Sequence, residues 1–228
     1  MTGAPAQLYL LDVEGTVAPI SLVYEQLFPY ARTRFAEFLG QNRDDATVRA
    51  DLALLAQENS ADEDAPRMDD AVHSDQAVVY LNWLMDRDRK STALKSLQGR
   101  IWKTGFETGA LKGTLFADVP AALERWALRG RTAIYSSGSV DAQRLLFRYS
   151  SFGDLTGRIT AYFDTRTGAK TASASYAAIA TAMGVEPGQV LFFSDVVREL
   201  DPAREAGLDT RLVIREGNAL VADRKSVV

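Results

Sequence analysis

Residues 7–16 read QLYLLDVEGT, an apolar run that leads two carboxylates, Asp12 and Glu14, into a glycine-threonine turn. Such a run is typical of a buried β-strand. In parallel α/β sheets, ligands bind at the carboxyl ends of the strands. Carboxylates at that position, without a cationic residue nearby in sequence, suit a divalent metal ion or a phosphoryl group. The alternative is a strand that ends in a solvated turn, and the residues further along the chain decide between the two.

The composition excludes several classes of function. The chain has 228 residues, of which 46% are hydrophobic and 25% charged, as in an ordinary globular protein. It contains no cysteine and one histidine, so zinc-thiolate sites, cysteine nucleophiles and multi-histidine metal sites are ruled out. The net charge of −4 argues against a nucleic-acid partner. No apolar stretch approaches the roughly 20 residues of a membrane span, and no signal core precedes Asp12, so we expect a cytoplasmic protein.

The pattern along the chain predicts two structural regions. Between residues 30 and 105 apolar residues recur at helical spacing, with an acidic, turn-rich connector at 58–70. After Asp118, a plausible helix N-cap, helices and strands alternate, which is typical of an α/β fold with a doubly wound parallel sheet. The predicted elements are a helix at 121–129, a strand at 132–135, helices at 140–147 and 173–183, a strand at 190–193, a helix at 202–206 and a strand at 211–214. We therefore predict a catalytic core of residues 1–19 and 117–228, with an all-helical cap of residues 20–116 inserted after the first strand.

Polar residues follow the later strands in the same way as the first. The strand that ends at Tyr135 leads into a hydroxyl-rich turn, and the strand that ends at Phe193 leads into a serine and an aspartate. A lysine precedes the helix between them. Each element alone is more often a turn, a surface lysine or a helix start. Their order at successive strand ends makes them candidates for one site: Asp12, Glu14, Ser136, Ser137, Lys170, Asp195 and Glu199.

This set of residues suits phosphoryl transfer. Asp12, on a buried strand, is a compact and fixed nucleophile. Glu14 is placed to carry protons to the leaving group and from water. Asp12 and Asp195 provide two carboxylates for Mg²⁺ from neighbouring strand ends. Lys170 and the helix that begins after Ser137 can supply positive charge and hydrogen-bond donors to the transition state.

These motifs resemble those of the haloacid-dehalogenase superfamily of aspartyl-phosphate phosphatases. Within it, the chain is similar to the enolase-phosphatase family of methionine salvage, because that family carries Glu at position 14 where most of the superfamily carries Asp. The run IWKTGFETGALKG at 101–113 also looks distinctive of that family. The similar stretches cover residues 10–32, 101–123, 134–147, 162–176 and 191–200. The resemblance implies a HAD-like, Rossmann-type core with a helical cap.

The resemblance also implies roles for the metal-binding and proton-transferring residues. Asp12 would be the nucleophile and a ligand of one Mg²⁺ per chain. Glu14 would be the general acid and base, and its main-chain carbonyl would contact the metal. Asp195 would complete the protein's ligands, with Glu199 orienting them.

The implied substrate is a small phosphorylated molecule, held by Ser136 and Ser137, with Lys170 neutralising the transferring group. In that family, 2,3-diketo-5-methylthiopentyl-1-phosphate is enolised and then hydrolysed to the acireductone 1,2-dihydroxy-3-keto-5-methylthiopentene and phosphate. Either Glu14 or Lys170 is a candidate for the base of the enolisation. We expect a monomer.

Two other functions remain open at this point. The first is the same phosphatase chemistry on another metabolite, such as a sugar phosphate or phosphoglycolate. The second is a phospho-accepting signalling module, which also places acidic residues, a hydroxyl and a lysine at strand ends. Signalling modules lack a large insertion, whereas here Asp12 and Ser136 are 136 − 12 = 124 positions apart. A non-catalytic binding protein is disfavoured because no catalytic position is substituted.

Overall fold

The structure is a computed structural model that describes residues 6–68, 74–89 and 91–216. The chain divides into two compact units. The first comprises Met1–Val23 and Lys112–Val228, and the second comprises Tyr24–Leu111. None of the helices in the described ranges is long and apolar enough to cross a membrane.

The first unit is built on a five-stranded parallel sheet with the strand order β3-β2-β1-β4-β5. The strands are β1 (Leu8–Leu11), β2 (Arg131–Tyr135), β3 (Ala161–Phe163), β4 (Val190–Ser194) and β5 (Asp209–Leu212). The chain adds β2 and β3 on one side of β1, then β4 and β5 on the other. This reversal places the topological switch point, where ligands of doubly wound sheets bind, at the carboxyl end of β1. The predicted α/β fold with a doubly wound parallel sheet is confirmed.

Helices connect the strands of the first unit and bury its central strand. In chain order the α-helices of the described residues are α1 (Phe28–Arg32), α2 (Phe35–Gln41), α3 (Ala46–Ser60), α4 (Ser74–Asp86), α5 (Thr92–Glu107), α6 (Val119–Ala127), α7 (Val140–Arg148), α8 (Ser173–Met183) and α9 (Val197–Glu205). All four residues of β1 are buried, which explains its uninterrupted apolar sequence. Gly184 ends α8 in the left-handed conformation at φ +62°, as its position after Met183 predicts.

The second unit contains α1 to α5, and it has a hydrophobic core of its own. Asp45 caps α3 by accepting hydrogen bonds from two backbone amides, and Ser91 caps α5. An ion pair of 3.0 Å joins Asp51 on α3 to Arg100 on α5. These contacts stabilise a helical unit from which strands are absent over its described residues. The boundaries of the cap at residues 20 and 116, inferred from the sequence, stay a prediction.

Four local features differ from the sequence-based expectations. A short π-helical segment, Leu22–Leu27, and the three-residue strand β3 were not predicted. Strand β5 begins and ends two residues earlier than the predicted 211–214, because its pairing with β4 runs from Asp209 to Leu212. The helix predicted at 202–206 begins at Val197, since Leu200, Pro202 and Ala203 are buried and Pro202 lies inside the helix rather than at its start.

Candidate active site at the carboxyl ends of the strands

The turn after β1 holds its two carboxylates in a fixed order. The amide of Asp12 continues the sheet by donating to the Phe193 carbonyl at 3.0 Å, and its side chain is buried. Three backbone amides after Glu14 donate to the Val13 carbonyl, which closes a tight turn. Gly15 makes the turn possible with φ +82°, a conformation that side chains disfavour. The sequence Asp-x-Glu-Gly-Thr thus specifies the local geometry of the site.

Thr16 connects the carboxyl ends of β1 and β4. Its hydroxyl donates to Asp12 Oδ2 at 3.2 Å and accepts from the Asp195 amide at 3.1 Å. The threonine is 2% exposed, and its bond to Asp12 is buried. Its carbonyl accepts from Arg215 Nε at 3.0 Å, and the same guanidinium pairs with Asp118 at 2.8 Å. Asp118 occupies the N-cap position of α6 but makes no capping bond with its side chain.

Lys170 lies between two carboxylates. Its ammonium contacts Asp12 Oδ1 and is 2.6 Å from Glu199 Oε2, and the residue is only 9% exposed. Glu199 also accepts from the Ser194 hydroxyl at 3.0 Å. Burial opposes the charge of Lys170, but the carboxylates of Asp12 and Glu199 outweigh it and hold the lysine pKa above its ordinary value. The lysine is therefore an ammonium ion fixed beside Asp12.

Glu14 pairs with the hydroxyl of Ser136, 122 positions away in the sequence. Ser136 Oγ lies 3.1 Å from Glu14 Oε2 and accepts from the Gly138 amide at 3.0 Å. Desolvation, followed by the negative charge of Asp12, raises the pKa of Glu14. A carboxyl group with a raised pKa is suited to giving and taking protons near neutral pH. Ser137 is the next residue of this loop and is exposed to solvent.

Asp195 follows β4, the strand hydrogen-bonded to β1. Burial, followed by repulsion from Asp12, raises the pKa of Asp195 to about 6. No group of three or more His, Cys, Asp or Glu side chains that could hold a metal occurs within residues 6–68, 74–89 and 91–216. The predicted ligand set consists of two carboxylates and one main-chain carbonyl, so it does not depend on such a group. Two mutually repelling carboxylates at adjacent strand ends fit a hard divalent cation.

The structure brings most of the candidate residues together through direct bonds. Hydrogen bonds and ion pairs join Asp12, Lys170 and Glu199 with one another and, through Thr16, with the backbone of Asp195. Glu14 and Ser136 form a second pair, and the negative charge of Asp12 acts on it by raising the pKa of Glu14, after the larger effect of burial.

Sequence reasoning missed two groups that hold the site. The sequence places Thr16 in the turn but does not predict that it bridges β1 and β4. Asp164 after β3 is buried and accepts from the amides of Val140 and Arg166 at 3.3 Å and 2.9 Å, and so joins the loop after β3 to the start of α7. The signal for Asp164 was the same as for the others, an acidic residue at a strand end, but β3 itself was not predicted.

Known proteins resemble this chain in sequence and in structure. Residues 6–207 match the haloacid dehalogenase-like hydrolase family. A protein named Enolase-phosphatase E1 from Synechococcus elongatus is 54% identical over 215 residues, which cover 93% of this chain and 90% of that protein. The crystal structure of the UTR4 protein from Saccharomyces cerevisiae is 38% identical, with a TM-score of 0.78 over 95% of this chain and 93% of that one.

A structure with much lower sequence identity also has a similar fold. A HAD-family enzyme from Bacteroides thetaiotaomicron, crystallised with magnesium and inorganic phosphate, is 11% identical, with a TM-score of 0.52 over 95% of this chain and 98% of that one. This likeness concerns the fold alone. The family match and the close relative show that the chain belongs to the haloacid dehalogenase-like hydrolases and, within them, to the enolase-phosphatase family.

Proposed function

We propose that this haloacid dehalogenase-like hydrolase is the bifunctional enolase-phosphatase of methionine salvage. It converts 2,3-diketo-5-methylthiopentyl-1-phosphate to the acireductone 1,2-dihydroxy-3-keto-5-methylthiopentene and inorganic phosphate. The substrate is enolised first, and the enol phosphate is then hydrolysed through an aspartyl phosphate on Asp12. Membership of a hydrolase family disfavours the signalling module, which stores the phosphoryl group instead of releasing it.

One observation carries the proposal: a buried aspartate lies against a fixed ammonium ion, next to a glutamate with a raised pKa. Lys170 bonds one oxygen of Asp12 and Thr16 bonds the other, so the rotation of the carboxylate is fixed. A fixed nucleophile beside a cation, with a proton carrier close by, supports in-line phosphoryl transfer. Glu14 supplies that carrier.

The phosphatase stage consists of two displacements at phosphorus. In the first, a carboxylate oxygen of Asp12 forms a bond to phosphorus while the ester oxygen leaves and takes a proton from Glu14. In the second, a water oxygen attacks the same phosphorus, the bond to Asp12 breaks, and Glu14 receives a proton from the water. Lys170 balances the negative charge of the phosphoryl oxygens in both steps.

The residues present fit one magnesium ion per chain. The ion would be held by the carboxylates of Asp12 and Asp195 and by the main-chain carbonyl of Glu14. When bound, magnesium supplies positive charge to the phosphoryl group and to the carbonyl oxygen next to the acidic C–H of the diketone. Glu199 supports this arrangement indirectly, because it fixes Lys170 at 2.6 Å.

The enolisation needs a base, and Glu14 fits that role better than Lys170. Lys170 is paired with two carboxylates that keep it protonated, so it cannot accept a proton. Glu14 can take the proton α to the carbonyl, while the electron pair of the C–H bond moves towards the carbonyl oxygen. The proton then returns to that oxygen and gives the enol. Glu14, left as a carboxylate, takes up a proton from solvent before the phosphatase stage and releases one to solvent after it. The hydrogen bond from Ser136 keeps the Glu14 carboxylate in place.

Ser136 and Ser137 contact the phosphate and neighbouring oxygens of the substrate in this proposal. When substrate enters, the hydroxyl of Ser136 is shared between Glu14 and the phosphate. A cytoplasmic location and a monomeric state stay predictions.

A panel of phosphomonoesters tests the proposed substrate. The specificity constant kcat/KM should be measured with Mg²⁺ for the diketone phosphate, for phosphoglycolate and for several sugar phosphates. We expect the diketone phosphate to be preferred by about 100-fold or more, since polar groups built for one substrate discriminate strongly against others. An equal or better rate with another metabolite would favour the alternative, a phosphatase of the same mechanism with a different substrate.

A further inference from the structure

The loop that carries Lys170 is held by three side-chain hydroxyls on three consecutive carbonyls. Tyr135 donates to the Gly168 carbonyl at 3.0 Å, and Ser175 donates to the Ala169 carbonyl at 2.8 Å. Tyr176 donates to the carbonyl of Lys170 itself at 2.7 Å. We call Tyr135, Ser175 and Tyr176 the hydroxyl clamp.

The clamp is buried and comes from two different elements of the first unit. Tyr135 is the last residue of β2, whereas Ser175 and Tyr176 belong to the first turn of α8. The two tyrosines are fully buried and their rings pack edge to face at 5.5 Å. Burial raises the pKa of both phenols, so both keep the proton that they donate. The bond from Tyr176 to the Lys170 carbonyl is buried, so no water replaces it when the hydroxyl is removed.

Gly168 is fitted to the clamp. Its φ of +143° lies in a region that residues with a Cβ avoid, and a Cβ placed there would lie 2.2 Å from Ser175 Oγ. Only glycine leaves room for the Ser175 hydroxyl to reach the next carbonyl.

The hydroxyl clamp is adjacent to two of the proposed site residues, Ser136 and Lys170. Tyr135 immediately precedes Ser136, and its ring centroid is 5.7 Å from the ammonium of Lys170. Tyr176 bonds the main chain of Lys170, from which the side chain runs to Asp12 and Glu199. A shift of that main chain would move the ammonium away from the reacting phosphoryl group.

We propose that Tyr176 is a positioning residue, which holds the main chain of Lys170 so that its ammonium lies against Asp12. The inference rests on the function proposed above, because it assigns Tyr176 an effect on catalysis that is exerted through Lys170. Tyr135 supports the same loop at Gly168, two residues before the lysine.

Amine labelling tests the geometric part without using activity. Tyr176→Phe keeps the ring and removes only the hydroxyl. Tyr162→Phe is the matched control, since the Tyr162 hydroxyl lacks a hydrogen-bond partner among the described residues. We expect labelling of Lys170, followed by peptide mass spectrometry, to rise about tenfold in Tyr176→Phe, because loss of one buried bond favours local opening by about that factor. Labelling of exposed Lys112 should not change. Equal labelling of Lys170 in Tyr176→Phe and Tyr162→Phe would overturn the proposal.

A double-mutant cycle tests the catalytic part with the diketone phosphate and Mg²⁺. Tyr176→Phe should lower kcat about tenfold with KM changed less than about threefold, and it should have no further effect on kcat in a Lys170→Met background. An equal loss in both backgrounds would show that Tyr176 acts independently of Lys170 and would contradict the proposal.

Two additions keep these tests decisive. If Tyr176→Phe does not fold, Tyr135→Phe carries the same two expectations. If the wild-type enzyme does not turn over the diketone phosphate, the proposed function fails, whereas the labelling result still decides whether the clamp holds Lys170.

Discussion

Replacing Lys170 by methionine removes the charge at the centre of the site while keeping much of the side-chain volume. The wild-type ammonium contacts Asp12 and lies 2.6 Å from Glu199, and it is 9% exposed. The variant leaves both carboxylates without that partner. Loss of one preorganised donor to a developing negative charge lowers kcat by about 10²–10³-fold, which corresponds to about 3–4 kcal/mol. We expect kcat for the diketone phosphate to fall by that factor.

The same substitution should also lower the free energy of unfolding. Removing one partner of a buried ion pair costs about 3–5 kcal/mol. We expect the lower end of that range at pH 7.5, because Glu199 keeps its bond from Ser194. Burial already raises the pKa of Glu199, although Lys170 lowers it. The pKa of the Glu199 carboxyl group should therefore rise further in Lys170→Met. A folded state with raised carboxyl pKa values binds more protons than the unfolded state. The loss in free energy of unfolding of Lys170→Met, relative to the wild type, should therefore become smaller as the pH falls towards 5.

Steady-state kinetics and urea unfolding at pH 7.5 and 5.5 measure both effects. Lys112→Met is the matched control, since Lys112 is an exposed lysine of the same unit. It should leave kcat and stability within the error of the measurements. A kcat of Lys170→Met within tenfold of the wild type, or a stability loss below about 1 kcal/mol at pH 7.5, would refute the reasoning.

Three further variants test separate parts of the site. Glu14→Gln should lower phosphate release about 10²–10⁴-fold, and it should also stop enol formation; enol absorbance that still appears would remove Glu14 as the base. Mg²⁺ at about 100 times its Kd should stabilise the wild-type protein by about 2.7 kcal/mol in thermal unfolding, and this gain should largely disappear in Asp195→Asn; an undiminished gain would place the metal elsewhere. Gly168→Ala should destabilise the fold by about 1–3 kcal/mol because of its φ of +143° and the contact with Ser175. Gly157→Ala, which meets nothing within 4 Å, should change stability by less than about 0.5 kcal/mol, and equal effects of the two alanines would contradict this reasoning.

The sequence best predicts those strands that are buried along nearly their whole length. β1 is buried along its whole length and β2 over all but its first residue, so their apolar runs identify them. The three half-buried residues of β3 carry no such run, and this strand depends on its pairing with β2. The sequence predicts a helix start at Pro202, because proline favours the first turn. Burial of Leu200 and Ala203 instead extends α9 through it.

The candidate site also has parts that the sequence predicts and parts that it does not. Residues at strand ends could be identified, because the carboxyl ends of parallel strands lie at one edge of the sheet for any conformation of the connecting loops. Bonds between distant loops could not, as the pair of Glu14 and Ser136 shows over 122 positions. The hydroxyl clamp is a further case, since nothing in the sequence around Tyr135 indicates that its hydroxyl reaches Gly168.

The most direct test of the central claim follows phosphate release and acireductone absorbance together, starting from the diketone phosphate. We predict that both products appear at the same rate, only with Mg²⁺, and that neither appears with Asp12→Asn. Phosphate released from simple phosphomonoesters but not from the diketone phosphate would contradict the proposed substrate, and phosphate released by Asp12→Asn at the wild-type rate would contradict the proposed nucleophile.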